Sequence, residues 1–172
     1  RLEYTNKLKA LKTMDQVGEF IEELEGAMQV YLGGIGRVGR DLPRIRAYFF
    51  LFSRVGEVAL AEAMQTSIIT QLRNGGEDRK HELFRALSEL AGYFKRLRRY
   101  NHALPLSEEA LTICQELYGK MNANTAEQLT NHSDLMYCCN NMTEALSLYE
   151  EALEIKREVF GDLHPLTYTA LT

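Results

Sequence analysis

Residues 144–165 read EALSLYEEALEIKREVFGDLHP, and residues 102–123, 42 positions upstream, read HALPLSEEALTICQELYGKMNA. Laid on each other, the two stretches share ten identities in a 17-residue window without a gap. Ala103, Leu104, Leu106, Glu108, Glu109, Ala110, Leu111, Ile113, Glu116 and Gly119 meet Ala145, Leu146, Leu148, Glu150, Glu151, Ala152, Leu153, Ile155, Glu158 and Gly161. A fixed-period match of this length marks an internal repeat. Its spacing is helical. Leu146, Tyr149, Leu153 and Lys156 step by three or four residues, while Glu150, Glu151 and Glu154 face elsewhere. Gly161 stands where a helix C-terminus wants positive φ, and His164-Pro165 opens the next unit because a residue before proline avoids the helical region.

A second helix precedes each copy. The spacing predicts one over 83–97, with Leu83, Leu87, Leu90, Ala91 and Phe94 on one stripe, and one over 126–139, with Leu129, Ser133 and Met136 in the equivalent places. The hinges are Arg98-Arg99-Tyr100 and Asn140-Asn141-Met142; Asn140 suits a left-handed turn and Arg98 does not. The small residues Ala91, Ser133, Ala103, Ala145, Ala110 and Ala152 allow close helix approach, and Leu87, Leu129, Phe94, Met136 and Tyr100 fill the gaps. This stripe reads as packed core, not a cofactor box.

Thr125, Ala126, Leu129 and Asn131, followed by Glu144–Leu148 and Tyr149–Pro165, resemble the 42-residue tetratricopeptide repeats of kinesin light chain and its relatives. The likeness is strong over 123–165, good over 81–122 and fainter upstream. There Gly56 lies 42 before Arg98, Ala61 matches Ala103, Met64 matches Leu106, and Ile45, Phe49 and Phe52 fall on Leu87, Ala91 and Phe94. Phe49 occupies a site that the family fills with a small residue. The resemblance implies an all-α superhelical solenoid of antiparallel helix pairs. The expected division is an N-terminal helix pair over 1–39, a divergent repeat over 40–80, repeats over 81–122 and 123–164, and the start of a truncated repeat or cap over 165–172. The missing initiator methionine and the unpaired last segment suggest a piece of something longer.

Composition narrows the function. The 172 residues are 45% apolar and 26% charged, as in an ordinary globular chain, and 20 Lys and Arg against 24 Asp and Glu give a net charge of −4. No global basic excess exists to hold nucleic acid. The longest apolar stretch, 47–52, is far short of the about 20 residues of a membrane helix, so no membrane insertion is expected. Cys114, Cys138 and Cys139 form no disulfide framework, which favours a reducing, cytoplasmic setting.

Candidate chemistry is thin. Gly34-Ile35-Gly36-Arg37-Val38-Gly39 matches a dinucleotide fingerprint, but Pro43 interrupts the helix that such a site needs, and Gly34 falls in register on Gly76 of an inter-repeat loop. His81-Glu82-Leu83-Phe84-Arg85 lacks the second histidine of a zinc motif. His132 sits where the family has a core leucine and reads as a half-buried, hydrogen-bonded side chain. Cys138 and Cys139 point apart on a helix. Glu108-Glu109 and Glu150-Glu151 read as a solvated outer face. No enzyme, cofactor or metal is expected.

The first helix of each pair lines the concave surface in this architecture. Its outward positions are Arg46, Phe50, Ser53 and Arg54, then Arg85, Ser88, Gly92, Lys95 and Arg96, then Glu127, Thr130, Asp134 and Tyr137, with Asn131 beside the last set. The expected binding residues are Arg46, Phe50, Arg54, Arg85, Ser88, Lys95, Arg96, Thr130, Asn131 and Asp134. The first two sets are basic although the chain is acidic, which favours an acidic, extended peptide partner; the alternative is an ordinary solvated face. Phe50 would serve as an apolar anchor. The resemblance implies a non-enzymatic adaptor or scaffold in cytoskeletal or motor-linked assembly. A second reading is a structural solenoid that self-associates, favoured by the aromatic run Tyr48-Phe49-Phe50-Leu51-Phe52.

Overall fold

A computed structural model describes residues 46, 49, 50, 52–54, 56, 58–162 and 164–168. The expected helix pair over 1–39, the glycine loop over 34–39 and the side chains of Tyr48 and Leu51 lie outside the described residues. The chain divides into two compact units, 1–68 and 69–172. The described residues carry α-helices and no strand: α1 Val58–Arg73, α2 Lys80–Arg96, α3 Tyr100–Tyr118, α4 Ala123–Cys138, α5 Met142–Phe160 and the short α6 Pro165–Tyr168. A 3-10 turn, Glu77–Arg79, precedes α2. The all-α tetratricopeptide-type arrangement of antiparallel helix pairs follows. α2 packs on α3, α3 on α4, α4 on α5, and α5 on α6.

The helix ends follow from local chemistry. α4 starts at Asn122, whose side chain accepts a hydrogen bond from the Asn124 N–H at 2.9 Å, satisfying an otherwise orphaned donor. α2 ends with Lys95 and Arg96 in its last turn, charges that complement the helix dipole. α3 and α5 stop at Gly119 (φ 83°, ψ 166°) and Gly161 (φ 86°, ψ 160°). That corner of backbone space is open to glycine almost alone.

The hinges also repeat. Arg98 and Asn140, 42 residues apart, both take left-handed backbone, at φ 57° and 65°. The next amide closes each turn: Arg99 donates to the Phe94 carbonyl at 2.9 Å, and Asn141 to that of Met136 at 3.0 Å. These six-to-one bonds satisfy the last carbonyls of α2 and α4. Arg98 thus adopts the conformation its side chain disfavours, because the closing bonds and the helices on either side impose it.

The core of unit 69–172 sits between the layers. Ala126, Leu129, Ala152 and Ile155 form a buried cluster, with Leu111 and Leu148 packed against it. The small residues Ala91, Ala103, Ala110, Ser133, Ala145 and Ala152 are all buried, as are Leu87 and Phe94; Met136 and Tyr100 are only half-buried. On α5 the buried line is Ala145, Ala152 and Ile155, not the stripe of Leu146, Tyr149, Leu153 and Lys156, and Leu146 is 60% exposed. Its equivalent one repeat upstream, Leu104, is half-buried. In unit 1–68, Phe49 and Phe52 are buried and Phe50 is 45% exposed. Phe49 therefore fills a core position despite its size, and among the described residues of the aromatic run only Phe50 faces out.

Cross-links between helices fix the layering. Arg73 Nε donates to Glu109 at 2.9 Å, and its second nitrogen meets the other carboxylate oxygen, a two-pronged pair from the end of α1 to α3. Glu109 is thus a partnered residue, where the sequence suggested a solvated one. Lys80 Nζ reaches Glu116 at 2.8 Å, and His81 Nδ1 lies 3.2 Å from the Tyr118 hydroxyl.

Candidate interaction face

The outward residues of α2 and α4 come together in register. Ser88 Oγ donates to Gln128 Oε1 at 3.4 Å. About two helical turns further along, Lys95 Nζ forms an ion pair with Asp134. Asp134 also accepts from the Tyr149 hydroxyl of α5, so one carboxylate joins three helices. Burial first, and then the bond to Asp134, push the Tyr149 hydroxyl well above the usual phenol range. It stays a proton donor throughout the physiological range.

Each expected binding residue has a definite place. Arg85 and Arg96 are exposed on α2, and the Arg96 guanidinium lies 5.7 Å from the centroid of the Tyr93 ring, a cation–π distance. Ser88 and Lys95 are half-buried in the α2–α4 seam. Thr130 is half-buried; its hydroxyl donates to the Ala126 carbonyl at 2.8 Å and accepts from Lys156 Nζ at 3.2 Å. Asn131 is exposed, and Asp134 is half-buried. Arg46, Phe50 and Arg54 belong to unit 1–68, where Arg46 is half-buried, Arg54 is exposed, and Phe50 packs its ring 5.3 Å from that of Phe49.

Two expectations change. Lys95 is not a free cation facing a ligand, because Asp134 neutralises it from 39 residues away. The open positive charges of this face are Arg85 and Arg96. His132 is buried deeper than expected, at 4% exposure, and its Nδ1 has no hydrogen-bond partner among the described residues. Burial pulls its pKa below the ordinary value, against the opposing pull of Glu108 and Glu144.

Gln128 and Tyr149 escaped the sequence reading. Gln128 is buried and bridges two layers, accepting from Ser88 and donating its Nε2 to the Ser107 carbonyl at 3.4 Å. The one available signal was a polar residue beside Leu129 on a helix whose neighbours are core. Among the described residues, no group of three or more His, Cys, Asp or Glu could hold a metal ion, and no helix is long and apolar enough to cross a membrane.

Residues 82–158 match the tetratricopeptide repeat family. The crystal structure of BtubC (BKLC) from P. vanneervenii is similar in fold, with a TM-score of 0.65 at 20% sequence identity over 92% of this chain. The chain spans 63% of the length of that protein. No curated protein matches the sequence. With their 42-residue period and paired helices, residues 82–158 have the build of the tetratricopeptide repeats that this family describes. Such repeats are protein–protein interaction or scaffold modules.

Proposed function

We propose that the outward face of α2 and α4 holds an extended, acidic segment of a partner protein, and that the chain works as a non-enzymatic adaptor. One observation carries this reading. The Ser88–Gln128 and Lys95–Asp134 bonds align the two helices as one continuous surface, on which Arg85 and Arg96 remain the exposed cations of α2. The two cations on the α2 side of this surface speed encounter with an oppositely charged segment, beside the exposed Glu127 of α4. Ser88 and Asn131 add neutral polar groups for the peptide backbone. Arg46, Arg54 and Phe50 are proposed as binding residues of unit 1–68 by themselves. The kinesin-light-chain resemblance supports a cytoplasmic setting in cytoskeletal or motor-linked assembly.

A random 12-residue peptide display library, selected on the wild-type chain, tests the proposal. The recovered peptides are expected to be rich in Asp and Glu and to lose binding to an Arg85→Glu/Arg96→Glu variant with an unchanged circular dichroism spectrum. Peptides without acidic enrichment, or binding that survives both substitutions, overturn it.

A second reading, self-association, draws on Met142 and Leu146, which lie one turn apart on α5 and are 58% and 60% exposed. Sedimentation that shifts to higher mass with concentration, and is restored to monomer by Leu146→Glu, would favour it.

A further inference from the structure

Gly92 lies one turn before the end of α2 without a structural reason to be glycine. Its φ is not positive, and a Cβ added there would meet no heavy atom within 4 Å. Glycine weakens a helix interior relative to alanine, so the chain carries a local loss that its own packing does not recover. The same place in α4 holds Asp134, and α2 could accommodate any small residue.

The position of Gly92 on the helix is informative. Arg85, Gly92 and Arg96 are separated by seven and four residues, which places all three within about 40° of one line along the helix surface. The two arginines stand about 16 Å apart along the axis, with a side-chain-free patch of backbone between them. Ser88 and Lys95 flank this line on the α4 side, where they bond to Gln128 and Asp134. The register of those two bonds brings Gly92 abreast of exposed Asn131. An extended chain covers about 16 Å in roughly five residues.

We infer that the main chain of the bound segment passes directly over Gly92, which leaves room for it, while two carboxylates on the same side of the extended segment, four or six residues apart, meet Arg85 and Arg96. Glycine permits close backbone approach, and the amide of Asn131, a donor and an acceptor at once, serves the peptide groups that cross it. The inference rests on the proposed function and specifies its ligand by spacing as well as by charge.

The test uses the tightest-binding acidic 12-residue peptide recovered from the display selection, titrated against Gly92→Ala and Gly92→Leu. Both replacements favour helix, so the thermal midpoint is expected to rise while affinity falls, by roughly tenfold for alanine and further for leucine. The selected peptides are expected to place two acidic residues four or six positions apart, on one side of the extended chain. Opposite movement of stability and binding separates a docking role from a structural one. If Arg85→Glu/Arg96→Glu removes binding but Gly92→Leu binds like wild type, the Gly92 inference falls and the acidic-segment reading stands. If neither change matters, both fall.

Discussion

Thr125 and Thr167, 42 residues apart, make the same hydrogen bond. Each hydroxyl donates to the carbonyl of the glycine six residues before it, Gly119 at 2.7 Å and Gly161 at 2.9 Å. The bond locks the start of one helix pair onto the end of the previous one, and α6 repeats it on α5 as α4 makes it on α3.

Thr125 is fully buried, so Thr125→Val keeps its shape and removes the bond to the Gly119 carbonyl together with the contact to Cys114 Sγ at 3.8 Å. A loss of about 1–2 kcal/mol is expected in urea unfolding, with Thr125→Ser close to wild type. Equal stability of the valine and serine variants would show the hydroxyl to be idle.

Two backbone substitutions should act in opposite directions. Arg98→Gly relieves left-handed strain on an exposed side chain and is expected to gain about 1 kcal/mol, or roughly 2–4 °C in thermal midpoint. Gly119→Ala forces a Cβ into backbone space reserved for glycine and should cost about 1–3 kcal/mol. Differential scanning calorimetry of the two variants reads both signs.

His132 makes stability depend on pH. Its folded-state pKa lies below the ordinary 6.5 because burial disfavours the charged ring. The unfolded chain therefore takes up a proton more readily than the folded one. Stability is complete above about pH 6.5 and declines as pH falls below that value. Relative to wild type, His132→Leu should flatten the thermal midpoint between pH 7 and pH 5; an unchanged slope would assign the acid sensitivity elsewhere.

Asp134 serves two donors, Lys95 and Tyr149. Asp134→Ala is expected to cost about 1–2 kcal/mol, since the pair with Lys95 is partly solvated and the bond from Tyr149 is better shielded. Once Asp134 is gone, Lys95→Met should add little. Fully additive losses in a double-mutant cycle would mean that the two side chains do not depend on each other.

The layering was legible from one 42-residue shift because close packing repeats the same small side chains at the same places: Ala103 with Ala145, Ala110 with Ala152, and Gly119 with Gly161. Arg98 was not legible as a left-handed residue, since the six-to-one bond that holds it depends on the backbone of Phe94 and not on its own side chain. Leu146 keeps the helical spacing and is nonetheless exposed, because periodicity marks a stripe without saying whether it faces the core. The candidate interaction face was half legible. Helical spacing identified Arg85, Ser88, Lys95 and Arg96 as outward, but the neutralisation of Lys95 depends on a carboxylate 39 residues away. That pairing belongs to the tertiary register, which no local pattern encodes.

The bonds that join the layers, from Arg73–Glu109 and Lys80–Glu116 through Ser88–Gln128 to Tyr149–Asp134, link segments only 15 to 40 residues apart in the chain. Each ties a helix to its near neighbours and to nothing further along. Under tension such a chain is a series of short clasps rather than a single knot. A pull on α6 would open its clasp to α5 first, then that of α5 to α4, so force is released in steps, and a partner seated on α2 and α4 would feel the load only after the later helices had let go.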